Sequence, residues 1–221
     1  MHRGSMIKRA YALIRNTLLS TPAEAGEPSA GLLQARVRDA ALAALDNGGI
    51  RILEIGCGEG FFLNKVRTRR PDACCTGVDI SGEQLARARN RLGTGVMLSQ
   101  VDGSRLPFAD ASFDVVVAVN LLMNLPDDET VRAVLAEAAR VCAAGGYLIC
   151  DIRNAANVLM RLKYRTAGYY DATIDCSQLR LFTLKDVTTR LGEAGFIPEQ
   201  LRPVRVFPLG VAAYMIRARK S

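Results

Sequence analysis

The apolar residues of this chain fall into short, nearly continuous runs separated by stretches with helical spacing. Runs at 50–55, 74–79, 96–101, 113–119 and 146–151 read as strands. Between them, 61–69, 82–92 and 127–142 read as helices, the last with Val131, Val134, Leu135 and Ala138 on one face. Strands without polar alternation, each followed by a helix, predict a parallel sheet covered on both faces. Right-handed crossovers then place the ligand-binding loops at the carboxyl ends of the strands.

The flanks read differently. Residues 7–19 and 32–45 are helical in spacing, joined by a Pro/Gly-containing loop at 21–31, and Asn47-Gly48-Gly49 closes the second helix. The stretch 153–182 is long, basic and without a clear period. Within it an amphipathic helix with Val158, Leu159 and Leu162 inward is the plain structural alternative. Residues 183–194 form a helix capped by Thr183 and stopped by Gly195. Two closing strands follow at 196–202 and 211–217, where Tyr214–Arg217 suits either an interior strand or pairing across a dimer.

Composition narrows the class. With 221 residues, 49% hydrophobic and 23% charged, the chain is ordinary for a globular protein. No apolar run approaches the ~20 residues of a membrane span, and no secretory leader pattern opens the chain. Six cysteines without Cys-x-x-Cys spacing indicate neither a zinc site nor a disulfide framework. Cytoplasmic residence with reduced thiols and no metal is the expectation. The only histidine is His2, so chemistry that needs a histidine base is not expected. The net charge of +7 is uneven. Residues 1–152 balance 17 cations against 17 anions, whereas 153–221 carry 12 against 5, a balance suited to an anionic partner.

The sharpest signal is Glu54-Ile55-Gly56-Cys57-Gly58-Glu59-Gly60, where the first strand turns into a helix. Glycines there let the backbone turn tightly and approach a ligand. A dinucleotide fingerprint would need glycine at 61, and Phe61 stands there. Cys57 suits the turn by its small size, with no base nearby in sequence to activate it. Asp79 ends the second strand, where a carboxylate is placed to accept from both ribose hydroxyls, and Ile80 offers an apolar face to a base. Asp102-Gly103 follows the third strand, where a carboxylate can accept from an adenine amino group.

Together these residues resemble class I S-adenosylmethionine-dependent methyltransferases of the small, broad-acceptor kind. The likeness runs over Glu-x-Gly-x-Gly-x-Gly at 54–60, Val-Asp-Ile-Ser at 78–81 and Asp-Gly-Ser-Arg-Leu-Pro-Phe at 102–108. It continues through Ser-Phe-Asp-Val-Val-Val at 112–117 and Ala-Arg-Val-Cys-Ala-Ala-Gly-Gly at 139–146. The resemblance implies an α/β, Rossmann-like, seven-stranded, mostly parallel sheet with helices on both faces. It implies one domain over 1–221, with N-terminal helices at 1–49, a cofactor-binding half at 50–152, a substrate lid at 153–184 and closing elements at 185–221. S-adenosylmethionine is the implied cofactor and S-adenosylhomocysteine the product. Gly56, Cys57, Gly58 and Gly60 would surround its methionine part, with Glu54 supporting the loop and the positively charged end. Asp79 and Ile80 would hold ribose and adenine, and Asp102, Gly103 and Ser104 the adenine edge. Asn120 would lie beneath, and Arg36 would reach the carboxylate.

Met123 and Asn124 stand where many relatives carry a histidine pair, and no Asn/Asp-Pro-Pro-Tyr/Phe motif is present. The stretch from Arg153 to Tyr170 supplies the acceptor candidates Arg153, Tyr164, Arg165, Tyr169 and Tyr170. As bases, Asp151 and the three tyrosines stand level. The expected acceptor is a small, anionic metabolite or a lipid-like molecule. Alternatives are an RNA substrate, which interleaved tyrosines and cations also fit, and a member that binds cofactor or partner without chemistry. A nicotinamide enzyme is a further rival and would be stabilised by NAD instead. Asp79→Ala is expected to abolish S-adenosylhomocysteine binding in a calorimetric titration; unchanged affinity removes Asp79 from the site.

Overall fold

The computed structural model describes residues 31–45, 50–170, 180–207 and 210–221, with side chains at 163 and 166–170 left aside. The predicted helix at 7–19, the loop at 21–31 up to residue 30, and the Asn47-Gly48-Gly49 stop lie outside the described residues. In chain order the elements are α1 (Leu32–Leu42), β1 (Arg51–Ile55), α2 (Phe61–Arg69), β2 (Cys74–Asp79), α3 (Gly82–Leu92) and β3 (Met97–Gln100). Then come β4 (Phe113–Ala118), α4 (Asp128–Val141), β5 (Cys142–Arg153), α5 (Val158–Tyr170), α6 (Leu184–Glu193), β6 (Phe196–Val206) and β7 (Gly210–Lys220).

The strands make one seven-stranded sheet in the order β3-β2-β1-β4-β5-β7-β6. β1 to β5 pair in parallel, and β7 runs antiparallel between β5 and β6. The Tyr214–Arg217 stretch is therefore an interior strand, paired on both sides. Strand alternation splits the apolar residues between two cores. Ile52, Val115, Val117 and Ile149 face α1, α2 and α3. Leu53, Val116, Ala118, Leu148 and Cys150 face α4 and α6. Both sets are fully buried, which is why the strands are apolar at nearly every position. Each valine, leucine or isoleucine among them contributes about 1.5–3 kcal/mol of burial.

Helix ends follow local chemistry. Ser81 Oγ accepts from the Gln84 N–H at the start of α3, and Asp127 accepts from the Thr130 N–H ahead of α4. Thr183 and Asp186 form a reciprocal capping box on α6. Several boundaries differ from the sequence reading: β5 runs over Cys142–Arg153 instead of 146–151, and β7 over Gly210–Lys220 instead of 211–217. β6 runs past Pro203 to Val206, because it is the sheet edge, where a missing N–H leaves no ladder bond unmade. The stretch after Arg153 is not irregular: Val158–Tyr170 is helical. Its inward residues are Met160, fully buried, and Tyr164, half-buried, whereas Val158, Leu159 and Leu162 are exposed. The predicted inward face was thus the wrong one.

β5 enters the sheet through Gly145-Gly146. A Cβ on Gly146 would stand 2.6 Å from the Asp114 carbonyl oxygen and 2.9 Å from that of Ala143, both backbone atoms that cannot swing aside. Gly146→Ala is expected to lower stability by about 1–3 kcal/mol, read as a fall in denaturation midpoint. Gly192→Ala, on an exposed helical position where a Cβ meets nothing within 4 Å, is the comparison expected to hold or raise stability.

Candidate functional site

The loop after β1 turns on three left-handed glycines, Gly56 (φ 72°), Gly58 (φ 52°) and Gly60 (φ 77°). The Gly56 and Cys57 N–H groups both donate to the Val78 carbonyl, at 2.8 and 3.0 Å, hooking the loop onto β2. Asp79 completes the hook: one carboxylate oxygen accepts from the Gly58 N–H at 2.8 Å and the other from the Ser81 N–H at 2.9 Å. The residue expected to hold a ribose also holds the loop against the start of α3. The glycines divide in purpose. Gly56 and Gly58 are half-buried, whereas Gly60 is buried and a Cβ there would meet Leu92 Cδ1 at 2.7 Å. Gly60 thus serves the packing of α2 on α3 and not the lining of the crevice. The Cys57 side chain is buried in the core, and its thiol is pushed up by burial, then by Glu54 and Asp79.

Glu54 lies beneath the loop, buried, with Oε2 lacking a hydrogen-bond partner among the described residues. Burial pushes its carboxyl well above the usual range; Arg38 opposes the shift and Asp79 adds to it. Arg38, not Arg36, is the α1 cation that faces this region. It is buried, and its guanidinium lies 4.9 Å from the centre of the Phe61 ring, whose centre is 3.8 Å from Arg91. Arg36 is exposed and donates to the Arg205 carbonyl at 3.4 Å. The sequence held a signal for this. On a helical wheel Arg38 falls between Ala41 and Ala35, both buried, while Arg36 falls on the opposite side.

At the neighbouring strand ends, Ile80 is 69% exposed, an unusual position for an isoleucine and a ready face for a planar ring. Asp102 is exposed, and one of its oxygens accepts from the Ser104 N–H and Oγ at 2.9 and 2.8 Å, which holds its carboxyl below the ordinary range. Ser104 thus orients Asp102. A Cβ on Gly103 would stand 2.6 Å from Ile55 Cγ2, so glycine there serves the core.

The end of β4 meets the end of β5 in a buried polar network. Asn120, left-handed at φ 56°, donates its N–H to Asp151 at 2.5 Å. Arg153, fully buried, donates to the other Asp151 oxygen and to Asn120 Oδ1. It also hydrogen-bonds Tyr164, whose hydroxyl donates to Met123 Sδ at 3.8 Å. Arg153 is therefore not the exposed anion contact the sequence suggested; its charge is spent on Asp151. Asp151 has both oxygens engaged, and burial, with Arg153 opposing, raises its carboxyl. Burial likewise raises the Tyr164 phenol against the pull of Arg153. Both groups are engaged by hydrogen bonds within the network. Arg165 is exposed on α5, and the Tyr169 and Tyr170 side chains lie outside the described residues.

These features suit an adenosine-bearing cofactor with a cationic, methionine-like end. Its carbohydrate would find Asp79, its base Ile80 and Asp102, and its charged end the glycine loop above the unpartnered oxygen of Glu54. The fold and site together define a Rossmann-like, nucleoside-cofactor-binding protein. Comparison with known proteins makes the class specific. Residues 52–146 match the methyltransferase domain family. The chain is 30% identical over 218 residues to malonyl-[acyl-carrier protein] O-methyltransferase of Geobacter sulfurreducens, covering 93% of this chain and 70% of that protein. It is 39% identical over 106 residues to phosphatidylethanolamine N-methyltransferase of Cereibacter sphaeroides, covering 46% of this chain and about half, 49%, of that relative. A solved S-adenosylmethionine-dependent methyltransferase from Thermotoga maritima shares the fold, with TM-score 0.68 at 21% identity, over 99% of this chain and 97% of that one. The chain belongs to the class I S-adenosylmethionine-dependent methyltransferase family, and S-adenosylmethionine is its cofactor.

The raised Glu54 carboxyl carries a sign that is easily checked. The folded state keeps this proton at pH values where the unfolded chain has lost it, so the contribution is fully present below the usual glutamate range. It is lost as pH rises toward the raised value, with a limiting slope of about 1.4 kcal/mol per pH unit. Glu54→Gln is expected to flatten this decline in denaturation experiments run across pH, and an unchanged slope refutes the assignment.

Proposed function

We propose that this protein transfers the methyl group of S-adenosylmethionine to a small or lipid-like acceptor that carries an anionic group. When bound, the cofactor supplies a methyl group already activated by its sulfonium. The chain's part is then to align the acceptor and exclude water, which can supply about 7–11 kcal/mol. In this reading residues 50–152 hold the cofactor, 153–184 contact the acceptor and 185–221 close the sheet. Gly56, Gly58, Glu54 and Arg38 form the methionine end, Asp79 and Ile80 the ribose and adenine seats, and Asp102, positioned by Ser104, the adenine edge. Asn120 lies beneath them. Arg165, with Tyr164, Tyr169 and Tyr170 on the same helix, supplies the acceptor contacts in this reading.

The observation that carries the reading is the polarity of the rim after β5. α5 holds Arg161, Lys163 and Arg165 between Val158 and Tyr170 with no acidic residue. The state of the buried network supports a further point. Asp151 and Tyr164 are committed elsewhere, which favours an acceptor atom that is nucleophilic without help from either. Two relatives named for a phospholipid and for an acyl-carrier-protein substrate are consistent with acceptors of this chemistry.

The test is transfer of labelled methyl from S-adenosylmethionine into a cell extract, with and without nuclease, followed by separation into small-molecule, lipid and macromolecular fractions. Label in the small-molecule or lipid fraction is expected. Nuclease-sensitive label in the macromolecular fraction would overturn the reading in favour of nucleic acid. Absence of label despite calorimetric binding of S-adenosylhomocysteine would favour a member that binds without chemistry.

A further inference from the structure

α5 presents its two faces in an unusual way. Met160 is fully buried and Tyr164 half-buried, and these anchor the helix on the sheet. On its outer side Val158 is 71% exposed and Leu159 45% exposed, with Leu162 also exposed one turn on. Arg161 and Arg165 are exposed on the same helix. The apolar side chains that a core helix buries are here turned to solvent among cations.

The start of this helix is held firmly. Asn157 Oδ1 accepts from the Met160 N–H at 3.0 Å, while its Nδ2 donates to the Val211 carbonyl at 2.9 Å. Asn154 Nδ2 donates to the same carbonyl at 3.0 Å. These bonds bring the start of α5 to the start of β7, and so beside the turn that carries Phe207. Phe207 is 92% exposed, and its neighbour Val206 pairs with Gly210. Three large apolar side chains from two separate elements, Val158, Leu159 and Phe207, thus stand on one rim. That rim is the carboxyl edge of the parallel strands, where the glycine loop, Asp79 and Asp102 also lie.

We propose that this rim, the outer face of α5 with Phe207, docks on the surface of an anionic phospholipid bilayer. Apolar side chains rimmed by arginine on a helix lying flat suit the headgroup boundary, where the apolar face enters the acyl region and the cations meet lipid phosphates. Among the described residues no helix is long and apolar enough to cross a membrane, so the contact is peripheral. Charge selects this occupant over a second copy of the chain. Arg161 and Arg165 are exposed on this helix and no acidic residue falls between Val158 and Tyr170, so two such helix faces brought together would oppose like charges. The proposal does not depend on methyl transfer, which is read separately by S-adenosylhomocysteine binding and label transfer.

The test uses the full chain with sedimented vesicles of phosphatidylcholine alone and of phosphatidylcholine mixed with phosphatidylglycerol, at low and high salt. Binding to the mixed vesicles, weakened by salt, is expected. The double variant Val158→Glu/Leu159→Glu, and separately Phe207→Glu, should each reduce bound protein by about tenfold or more. Arg161→Glu should lower binding by about fivefold or more at low salt and change little at high salt. The apolar positions are exposed, so the melting temperature and S-adenosylhomocysteine affinity of those variants should match the parent. Equal binding by parent and variants, binding to neutral vesicles as strong as to anionic ones, or no vesicle binding would each overturn the proposal. So would a concentration-dependent dimer in light scattering that Val158→Glu/Leu159→Glu abolishes, since it would assign the rim to a second copy.

Discussion

One buried ion pair organises the carboxyl edge of the sheet. Arg153 and Asp151 are both essentially inaccessible to water, and the two side chains pair directly. Burying two charges is costly, and such a pair is tolerated when further hydrogen bonds satisfy both groups; removing one partner typically costs about 3–5 kcal/mol. Here both groups reach Asn120, and only Arg153 Nε is left without a partner among the described residues: Asp151 accepts from the Asn120 N–H, and Arg153 donates to its side-chain oxygen. A non-glycine residue is thereby held at φ 56°, a conformation seldom adopted unless its surroundings impose it. Because Arg153 also bonds Tyr164, the same pair ties the turn after β4 to the helix after β5.

The cofactor side follows a similar logic with backbone in place of side chains. Two consecutive N–H groups of the glycine loop share the Val78 carbonyl, and Asp79 clamps a third. These bonds within the chain fix the loop's conformation, which reduces the ordering cost of binding. Glu54 below it is the one strongly perturbed carboxyl of the region that keeps an unpartnered oxygen. A ligand with a positive end would meet a group whose ionised form is otherwise disfavoured.

The outer rim shows how one helix divides its work. Met160 and Tyr164 secure α5 to the core and to the polar network, while Val158 and Leu159 on the other side are exposed. A helix with apolar residues on both sides gives no single periodic stripe, so its inward face is not readable from spacing. This is why the core-facing residues expected there proved to be the exposed ones.

What the sequence determined by itself was the architecture and the position of the glycine loop and Asp79 at the strand ends. Continuous apolar strands can be buried only by helices on both faces, and glycine followed by strand-end carboxylates leaves few other arrangements; the ends of β2 and α3 fell where local chemistry put them. Tertiary structure decided whatever depended on a partner distant in the chain. β6 continues through Pro203 because it lies at the edge, a fact of strand order. Arg38 faces the loop and Arg36 does not, because of how α1 seats on the sheet. Gly60 and Cys57 turn out to serve packing against Leu92 and Gly77. Arg153, legible only as a cation, became the buried centre of a network because Asp151 lies two residues before it on the same face of β5, with Asn120 on the neighbouring β4 turn. Local sequence specifies periodicity and caps; whether a charge is spent inside the protein or offered outside is set by which neighbours the fold brings to it.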